Sequence, residues 1–238
     1  MTYVKAALIL ALLPASILLT SCAVQDSDSE DAAGEGEHAA DDSAAVKGGK
    51  GPKGPIVVSP TPTLTEAQIR ATHDTVCPQV VEYTACASIT VTVANMGATG
   101  WTGSAGPAAR TVTYNSYYSL TQAQWSAVVS HEMGGHHDAW NELVAKVGPS
   151  QAWIDYYDLD YFGELWAEGR YLALKGTTRD LSRVQGKEVY LDCAGPVAHG
   201  YTGGYLSGLG FSTLTQQQQF CIGSAQVFTD ATTKVRPS

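Results

Sequence analysis

Hydrophobic and polar residues follow two different periods along this chain, and each period dominates a different part of it. Residues 88–94 (SITVTVA) alternate between polar and apolar side chains, and residues 110–114 (RTVTY) repeat the pattern over a shorter stretch. A period of two is typical of β-strands with one buried face. Residues 56–58 (IVV) are a further short candidate, and the Gly-, Ala- and Ser-rich residues 97–109 predict a loop. The sequence therefore predicts a small sheet in the first part of the folded region.

Helical spacing dominates from about residue 119 onward. Thr63 with Glu66, and Ser119 with Gln122, match the capping box, in which two side chains satisfy free backbone N–H groups at a helix start. The predicted helices cover about 64–74, 119 into residue 131, 139–147 up to Gly148-Pro149, a turn at 151–157, 161–174 up to Gly176, and Ser212 to about Phe228. The predicted fold class is therefore α+β, with a small sheet followed by a mainly helical second half.

The first 21 residues have a pattern of their own. Lys5 precedes an apolar run, and small residues lead up to Cys22, which is typical of a secretory signal peptide over 1–21. The run is interrupted by Pro14 and is too short for a comfortable membrane span. Residues 19–22 (LTSC) resemble the bacterial lipobox, which implies lipidation of Cys22 and anchoring at the outer face of the bacterial membrane. An ordinary secretory signal with an incidental cysteine is the alternative.

The next segment is acidic and poor in large apolar residues. Residues 23–55 hold eight acidic residues and no aromatic residue. Such a composition cannot bury enough apolar surface to offset the entropy lost on ordering. Residues 22–55 are therefore predicted to be a lipidated cysteine and a disordered acidic tether, which leaves 56–238 as one folded domain.

The charge of the chain argues against one class of partner. The formal net charge is −9, and residues 56–238 hold fifteen acidic residues against ten basic ones. Nucleic acid is excluded as a partner because its binding calls for a clustered basic patch, and the sequence has none.

Besides Cys22, the chain has four cysteines: Cys77, Cys86, Cys193 and Cys221. An even number in an exported domain favours two disulfides. Of the three possible pairings, Cys77–Cys86 and Cys193–Cys221 are favoured because each closes a local loop. A thiolate metal site is disfavoured because the chain has no CxxC pair.

Residues 131–137 (HEMGGHH) carry the candidate chemistry. Zinc binds imidazole nitrogens and carboxylate oxygens, and the usual helical solution, HExxH, places two histidines one turn apart on one face. Here Gly135 occupies that second position and His136 follows it, so in an ideal helix its ring would point about 140° away from that of His131. One extra residue absorbed in the turn, as in a π-bulge, restores the common face. Gly134 and Gly135 make this adjustment easy, so His131 and His136 are predicted zinc ligands.

A family resemblance adds to this interpretation. Residues 131–136 (HEMGGH) resemble the HExxGH motif of dipeptidyl peptidase III, a gluzincin metallopeptidase whose zinc helix contains this extra residue. In that family a downstream ExxAE-type motif supplies the third ligand from its first Glu, and residues 164–168 (ELWAE) match it. The resemblance implies a zincin-like fold and peptide or protein substrates, with Glu164 as third ligand and Glu132 as general base. It covers only these two motifs in a far shorter chain, so it implies the zincin class and not a preference for peptide length.

Several supporting roles remain open at this stage. His137 is an alternative second ligand, and His199 is the first candidate to stabilise the oxyanion, followed by Tyr201 and Tyr157. The candidates to accept a hydrogen bond from a ligand histidine are Asp138, Asp160 and Glu168. The main alternative to a peptidase is a non-catalytic surface lipoprotein, a degenerate zincin that binds a partner or zinc.

Overall fold

The computed structural model describes residues 64–233. The strands are β1 (Thr90–Ala94), β2 (Gly103–Gly106) and β3 (Thr111–Asn115). The helices are α1 (Glu66–Val80), α2 (Gln122–Ser130), α3 (Asp138–Val147), α4 (Pro149–Lys175), α5 (Arg183–Ala194), α6 (Gly204–Gly208), α7 (Leu214–Phe220) and α8 (Ala225–Thr233). A π-helix (His131–His137) joins α2 to α3, and short 3₁₀ turns cover Cys86–Ser88 and Val197–His199. This arrangement confirms an α+β chain with a small sheet and a mainly helical remainder.

Several predictions fall on residues outside this range. The signal peptide, Cys22, the acidic tether and the strand candidate at 56–58 all lie outside the described residues. Among residues 64–233, no helix is both long enough and apolar enough to cross a membrane.

The sheet has the strand order β1-β3-β2. β1 runs parallel to β3, with Val91 opposite Val112, and β2 runs antiparallel to β3. The two alternating segments thus form the strands predicted for them. β2 lies inside the segment that was predicted to be a loop. Its sequence, GSAG, has no alternation of apolar and polar residues, so the pattern does not indicate a strand. It forms one edge of the sheet.

The first helix begins two residues later than predicted. Thr65 is its N-cap and exchanges hydrogen bonds with Gln68, so the capping box uses the second of two overlapping matches. In this register Leu64 precedes the cap and Ile69 lies in the first turn, and both belong to the same hydrophobic cluster. These are the two positions of a hydrophobic staple, which fixes the entry of the chain into a helix. Helix α2 also begins two residues later than predicted. Its N-cap is Thr121, which forms a capping box with Gln124, and Leu120 and Trp125 occupy the staple positions.

Helix α5 was not predicted, and it is central to the fold. It packs along α4, which is one continuous helix where the sequence predicted two segments. The two helices are closest at Gly163 and Gly186, where a Cβ on Gly163 would lie 2.7 Å from the Gly186 carbonyl oxygen. α5 contributes buried side chains to both helical hydrophobic clusters, so it lies between them.

Both predicted disulfides are present. Cys77–Cys86 joins the end of α1 to the 3₁₀ turn before β1, and Cys193–Cys221 joins α5 to the residue after α7. The last helical segment, predicted as one helix from Ser212, is divided into α7 and α8, and the N-cap of α7 is Thr213.

Candidate metal centre

The two predicted histidine ligands face one another. Residues His131–His137 form a π-helix that continues α2 and leads directly into α3. The ring centroids of His131 and His136 are 5.0 Å apart. The extra residue is therefore absorbed within this segment, which confirms the predicted correction to the helical turn.

The paired glycines have a packing role as well as a conformational one. A Cβ on Gly134 would lie 2.7 Å from the Val80 carbonyl oxygen at the end of α1, and one on Gly135 would lie 3.1 Å from the Leu191 carbonyl oxygen in α5. A side chain at Gly134 would meet rigid backbone, and one at Gly135 would be tightly crowded. The glycines thus allow the π-helix to pack closely between α1 and α5, which brings α5 against the two histidines.

The third member of the group is Glu188, from α5. Its Oε2 lies 2.9 Å from His131 Nε2 and 3.1 Å from His136 Nε2. One ligand atom from each of the three residues lies within 4.8 Å of the others, so together they could hold a metal ion. Glu188 and His131 are 6% and 9% exposed, which shields the group from water while His136 remains partly accessible. Two imidazoles and one carboxylate are a ligand set used by catalytic zinc, with one position left for water.

The carboxylate that the structure brings to the two histidines is Glu188 and not the predicted Glu164, so Glu188 becomes the third candidate ligand. Glu164 lies on α4 with its Oε2 3.6 Å from Arg183 Nε, and it does not belong to the metal-binding group. The α4 residue that reaches His136 is Tyr156. Glu164 lies eight residues farther along the same helix, about 12 Å at the usual helical rise.

Each histidine has a partner on its other ring nitrogen. His131 Nδ1 lies 2.8 Å from Asp192 Oδ1, and His136 Nδ1 lies 2.7 Å from the Tyr156 hydroxyl. If both Nε2 atoms bind a metal, both Nδ1–H groups donate to these oxygens. The structure thus supplies orienting partners for both rings from two different helices.

These partners differ from the candidates that the sequence suggested. Asp138 accepts the backbone N–H groups of the loop after α1, at residues 82–84. Asp160 pairs with Lys187, and Glu168 accepts the backbone N–H of Leu181. These three carboxylates therefore bind backbone N–H groups or a lysine, and none of these contacts orients His131 or His136.

The charges within the group are strongly coupled. Burial disfavours a charged His131, but its hydrogen bonds to Asp192 and Glu188 outweigh this effect and raise its pKa well above the ordinary value. Burial would raise the pKa of Glu188, but the charge of His136 and the hydrogen bonds from both histidines lower it instead. Without a metal, the group is therefore held together as a protonated His131 beside an ionised Glu188.

His137 is not part of this group. Its Nε2–H donates to the Thr111 carbonyl at 2.9 Å, so the ring points towards β3. Burial lowers its pKa to about 4, which keeps it neutral at physiological pH. The alternative second ligand is therefore excluded in favour of His136.

Glu132 follows His131 and lies against the edge of the sheet. It is 5% exposed, and a Cβ on Gly103 in β2 would lie 2.5 Å from its Oε1. Glu132 also acts electrostatically on Tyr156, the partner of His136. The pKa of Tyr156 is raised mainly by burial and further by the negative charges of Glu188 and Glu132. The carboxyl of Glu132 thus shares an electrostatic environment with the metal-binding group and faces β2.

The residues considered for oxyanion stabilisation are exposed or border a surface groove. His199 is exposed at the end of a 3₁₀ turn, and within residues 64–233 it has no hydrogen bond or ring contact with the metal-binding group. Tyr157 is 53% exposed on α4, and Tyr201 borders a groove between α1 and α2. A residue that the sequence did not suggest is closer: the Tyr205 ring stacks on His131, with centroids 5.7 Å apart.

Sequence reasoning missed Glu188, Asp192, Tyr156 and Tyr205 as site residues. A signal for the first two was available, because Ser182 and Gln185 form a capping box that starts α5. Glu188 and Asp192 are four residues apart on that helix and therefore lie on one face. No comparable signal marked the two tyrosines.

Comparison with protein-family models, curated proteins and solved structures found no match. The chemistry of the site is therefore the main evidence for function. It comprises a ligand set suited to zinc, partners that orient both histidines, and a buried carboxylate beside one ligand.

Proposed function

We propose that this protein is a zinc-dependent peptidase of the gluzincin type, with a zincin-like domain. The observation that carries the proposal is the convergence of His131 Nε2, His136 Nε2 and a Glu188 oxygen next to a buried Glu132. The resemblance of residues 131–136 to the HExxGH motif supports the same interpretation. When bound, zinc polarises a carbonyl and lowers the pKa of a water molecule to about 7.

The residues of the chain would bind the metal, orient its histidine ligands and transfer the proton. His131, His136 and Glu188 hold the metal, and Asp192 and Tyr156 fix the two rings. Glu132 takes a proton from the attacking water and delivers it to the leaving amine as the C–N bond breaks. Tyr205 is the candidate donor to the oxygen of the tetrahedral intermediate, because its ring already contacts His131.

The edge of the sheet supports a peptide as the substrate. Within residues 64–233, β2 is paired only with β3, and it lies beside Glu132 through Gly103. A peptide in extended conformation can add to such an edge through backbone hydrogen bonds. The small side chains of β2 (GSAG) let a substrate backbone approach closely. This placement would align a peptide bond with Glu132 and the metal.

The two disulfides agree with an oxidising compartment outside the cytoplasm. We therefore propose that the protein acts outside the cell membrane, anchored through Cys22 as the lipobox resemblance implies. Metabolic labelling with a fatty acid tests the anchor, since Cys22→Ser should abolish the label.

Glu132→Gln is the direct test of the enzymatic proposal. The zinc-loaded protein and this variant are incubated with a mixed peptide library, and the products are identified by mass spectrometry. We expect the variant to keep stoichiometric zinc and to lose hydrolysis by at least about 100-fold, since general-base catalysis contributes about 10²–10⁴-fold. Glu142→Gln is the matched control because Glu142 pairs with Lys146 on the outside of α3. Equal hydrolysis by Glu132→Gln would refute the role of Glu132, and absence of hydrolysis in the wild-type protein would favour a non-catalytic zinc-binding lipoprotein.

A further inference from the structure

The carboxylate that orients His131 is itself held by a distant part of the chain. Asp192 is 1% exposed and uses Oδ1 for His131, while its Oδ2 accepts the backbone N–H of Leu206 at 3.0 Å. A Cβ on Gly203 would lie 2.3 Å from the same carboxyl group. The backbone of residues 203–206 is therefore fitted closely against Asp192.

One buried amide holds that backbone in place. Gln217, on α7, is completely buried, and its Oε1 accepts the Gly203 N–H at 2.7 Å. Its Nε2 donates to the carbonyl oxygens of Gly203 at 3.0 Å and Phe211 at 2.8 Å, and it also lies 3.1 Å from Ser207 Oγ. An amide side chain has one acceptor and two donor hydrogens, so Gln217 joins both ends of the 203–211 turn.

The helix that carries Gln217 is covalently tied to the helix that carries Asp192. Cys193 follows Asp192 directly, and its disulfide partner Cys221 follows the end of α7. The segment 203–221 is thus connected to Asp192 by a hydrogen bond at one point and by the disulfide at another.

We propose that residues 203–221 form a positioning element for His131, in which Gln217 and the Cys193–Cys221 disulfide set the affinity for zinc through Asp192. This inference rests on the proposed zinc site. It assigns an influence on zinc affinity to residues that follow all three candidate ligands in the sequence. If the element loosens, Asp192 has more freedom, His131 loses its fixed orientation, and zinc dissociates more readily.

The test measures zinc affinity by competition with a chromophoric chelator, using the exported protein with its disulfides formed. Partners of metal-bound histidines change affinity by about 10–100-fold, and we expect the low end of that range for Gln217→Met and for Cys193→Ala/Cys221→Ala. Gln218→Ala on the exposed face of α7 and Cys77→Ala/Cys86→Ala are the controls, and both should bind zinc as the wild-type protein does. Folding of every variant is checked by circular dichroism.

A second background separates positioning from general destabilisation. In an Asp192→Asn protein, Gln217→Met should cause no further loss of zinc affinity, because the connection to His131 is already altered. Equal losses in both backgrounds, or wild-type affinity in folded Gln217→Met, would overturn the proposal.

If Gln217→Met does not fold, Gly203→Ala provides the same test. Its Cβ would displace Asp192, whereas Gly204→Ala meets no atom within 4 Å and is the matched control. If Gly203→Ala binds zinc more weakly than Gly204→Ala does, the result supports the positioning element. Equal zinc affinities of the two variants would contradict it. A wild-type protein that binds no zinc would instead refute the proposed metal site.

Discussion

Gly163 and Gly186 bring α4 and α5 into backbone contact, and a Cβ on Gly186 would lie 2.3 Å from the backbone of Glu164. Glu188 follows Gly186 by two residues, so this contact sets the position of Glu188 relative to the histidines. Glu164 lies at the contact itself and pairs with Arg183. The packing of α4 against α5 therefore leaves Glu164 outside the metal-binding group and places Glu188 within it.

Substitution of Gly186 should therefore damage both stability and metal binding. We expect Gly186→Ala to lower the free energy of unfolding by about 1–3 kcal/mol, as overpacking usually does, and to weaken zinc binding because α5 shifts. Gly169→Ala is the control, since no atom lies within 4 Å of its added Cβ. That control should be stabilised by about 0.5–1 kcal/mol, because glycine is unfavourable inside a helix. Urea denaturation with and without zinc measures both effects, and a Gly186→Ala protein as stable as Gly169→Ala would contradict the packing argument.

The identity of the third ligand is tested by two matched carboxylate substitutions. Glu188→Gln removes the charged oxygen between the histidines, so the purified protein should retain substoichiometric zinc at neutral pH. Glu164→Gln removes only a partner of Arg183, so its zinc content should match the wild-type protein. Zinc per chain is measured by atomic emission after dialysis. The reverse pattern would restore Glu164 as the ligand.

Tyr156 should influence the metal through His136. Tyr156→Phe removes the hydroxyl that lies 2.7 Å from His136 Nδ1. We expect zinc affinity to fall by about tenfold, the low end of the effect of such partners. Tyr157→Phe, at an exposed neighbouring position, should leave the affinity unchanged. Chelator competition measures both, and equal affinities of the two variants would show that this hydrogen bond does not orient the ring.

The metal-free protein should lose stability above neutral pH. The pKa of His131 is raised above its ordinary 6.5, so its stabilising contribution is complete below 6.5 and disappears as pH rises through the raised value. The pKa of Glu188 is lowered from 4.5, so its contribution is present above 4.5 and is lost only in stronger acid. Both contributions are therefore complete together between pH 4.5 and 6.5.

Zinc should reverse this trend, because it competes with the proton on His131 and binds more tightly as pH rises. The difference in melting temperature between zinc-loaded and metal-free protein should thus increase from pH 5 to pH 8. Glu188→Gln should show little zinc-dependent difference at either pH. A zinc effect on melting temperature that is independent of pH would contradict the coupling between His131 and the metal.

The part of the site encoded in one short segment could be predicted from sequence. The spacing of His131 and His136 is wrong for an α-helix, and that mismatch itself indicated the inserted residue that the structure contains. The disulfides were also predictable, because each joins cysteines that are neighbours among the four in sequence and so closes a local loop. Local geometry was sufficient in both cases.

The third candidate ligand could not be derived in the same way. Whether Glu164 or Glu188 reaches the histidines depends on how α4 and α5 pack, and that packing is set by the contact between Gly163 and Gly186. Helical periodicity does not encode such a contact. The resemblance to a second motif then favoured Glu164, although the residue of its helix that contacts His136 is Tyr156.

Errors at the helix starts and in the sheet had simpler causes. Thr63 and Thr65 both match a capping box, and only the staple formed by Leu64 and Ile69 selects the second. β2 has no large apolar side chains and no alternation of apolar and polar residues, so its sequence does not mark it as a strand and its pairing with β3 does. The first error could have been avoided from local sequence, because both staple residues lie within the same helix start. The second could not, because β2 is defined by its pairing with a distant strand.

The proposed function depends on one zinc ion held by His131, His136 and Glu188. Anomalous diffraction at the zinc edge, from crystals of the zinc-loaded protein, locates that ion. We expect one peak within about 2.0–2.2 Å of His131 Nε2, His136 Nε2 and a Glu188 oxygen, the usual range for zinc. A peak at other residues, or no peak in crystals grown with excess zinc, would refute this site.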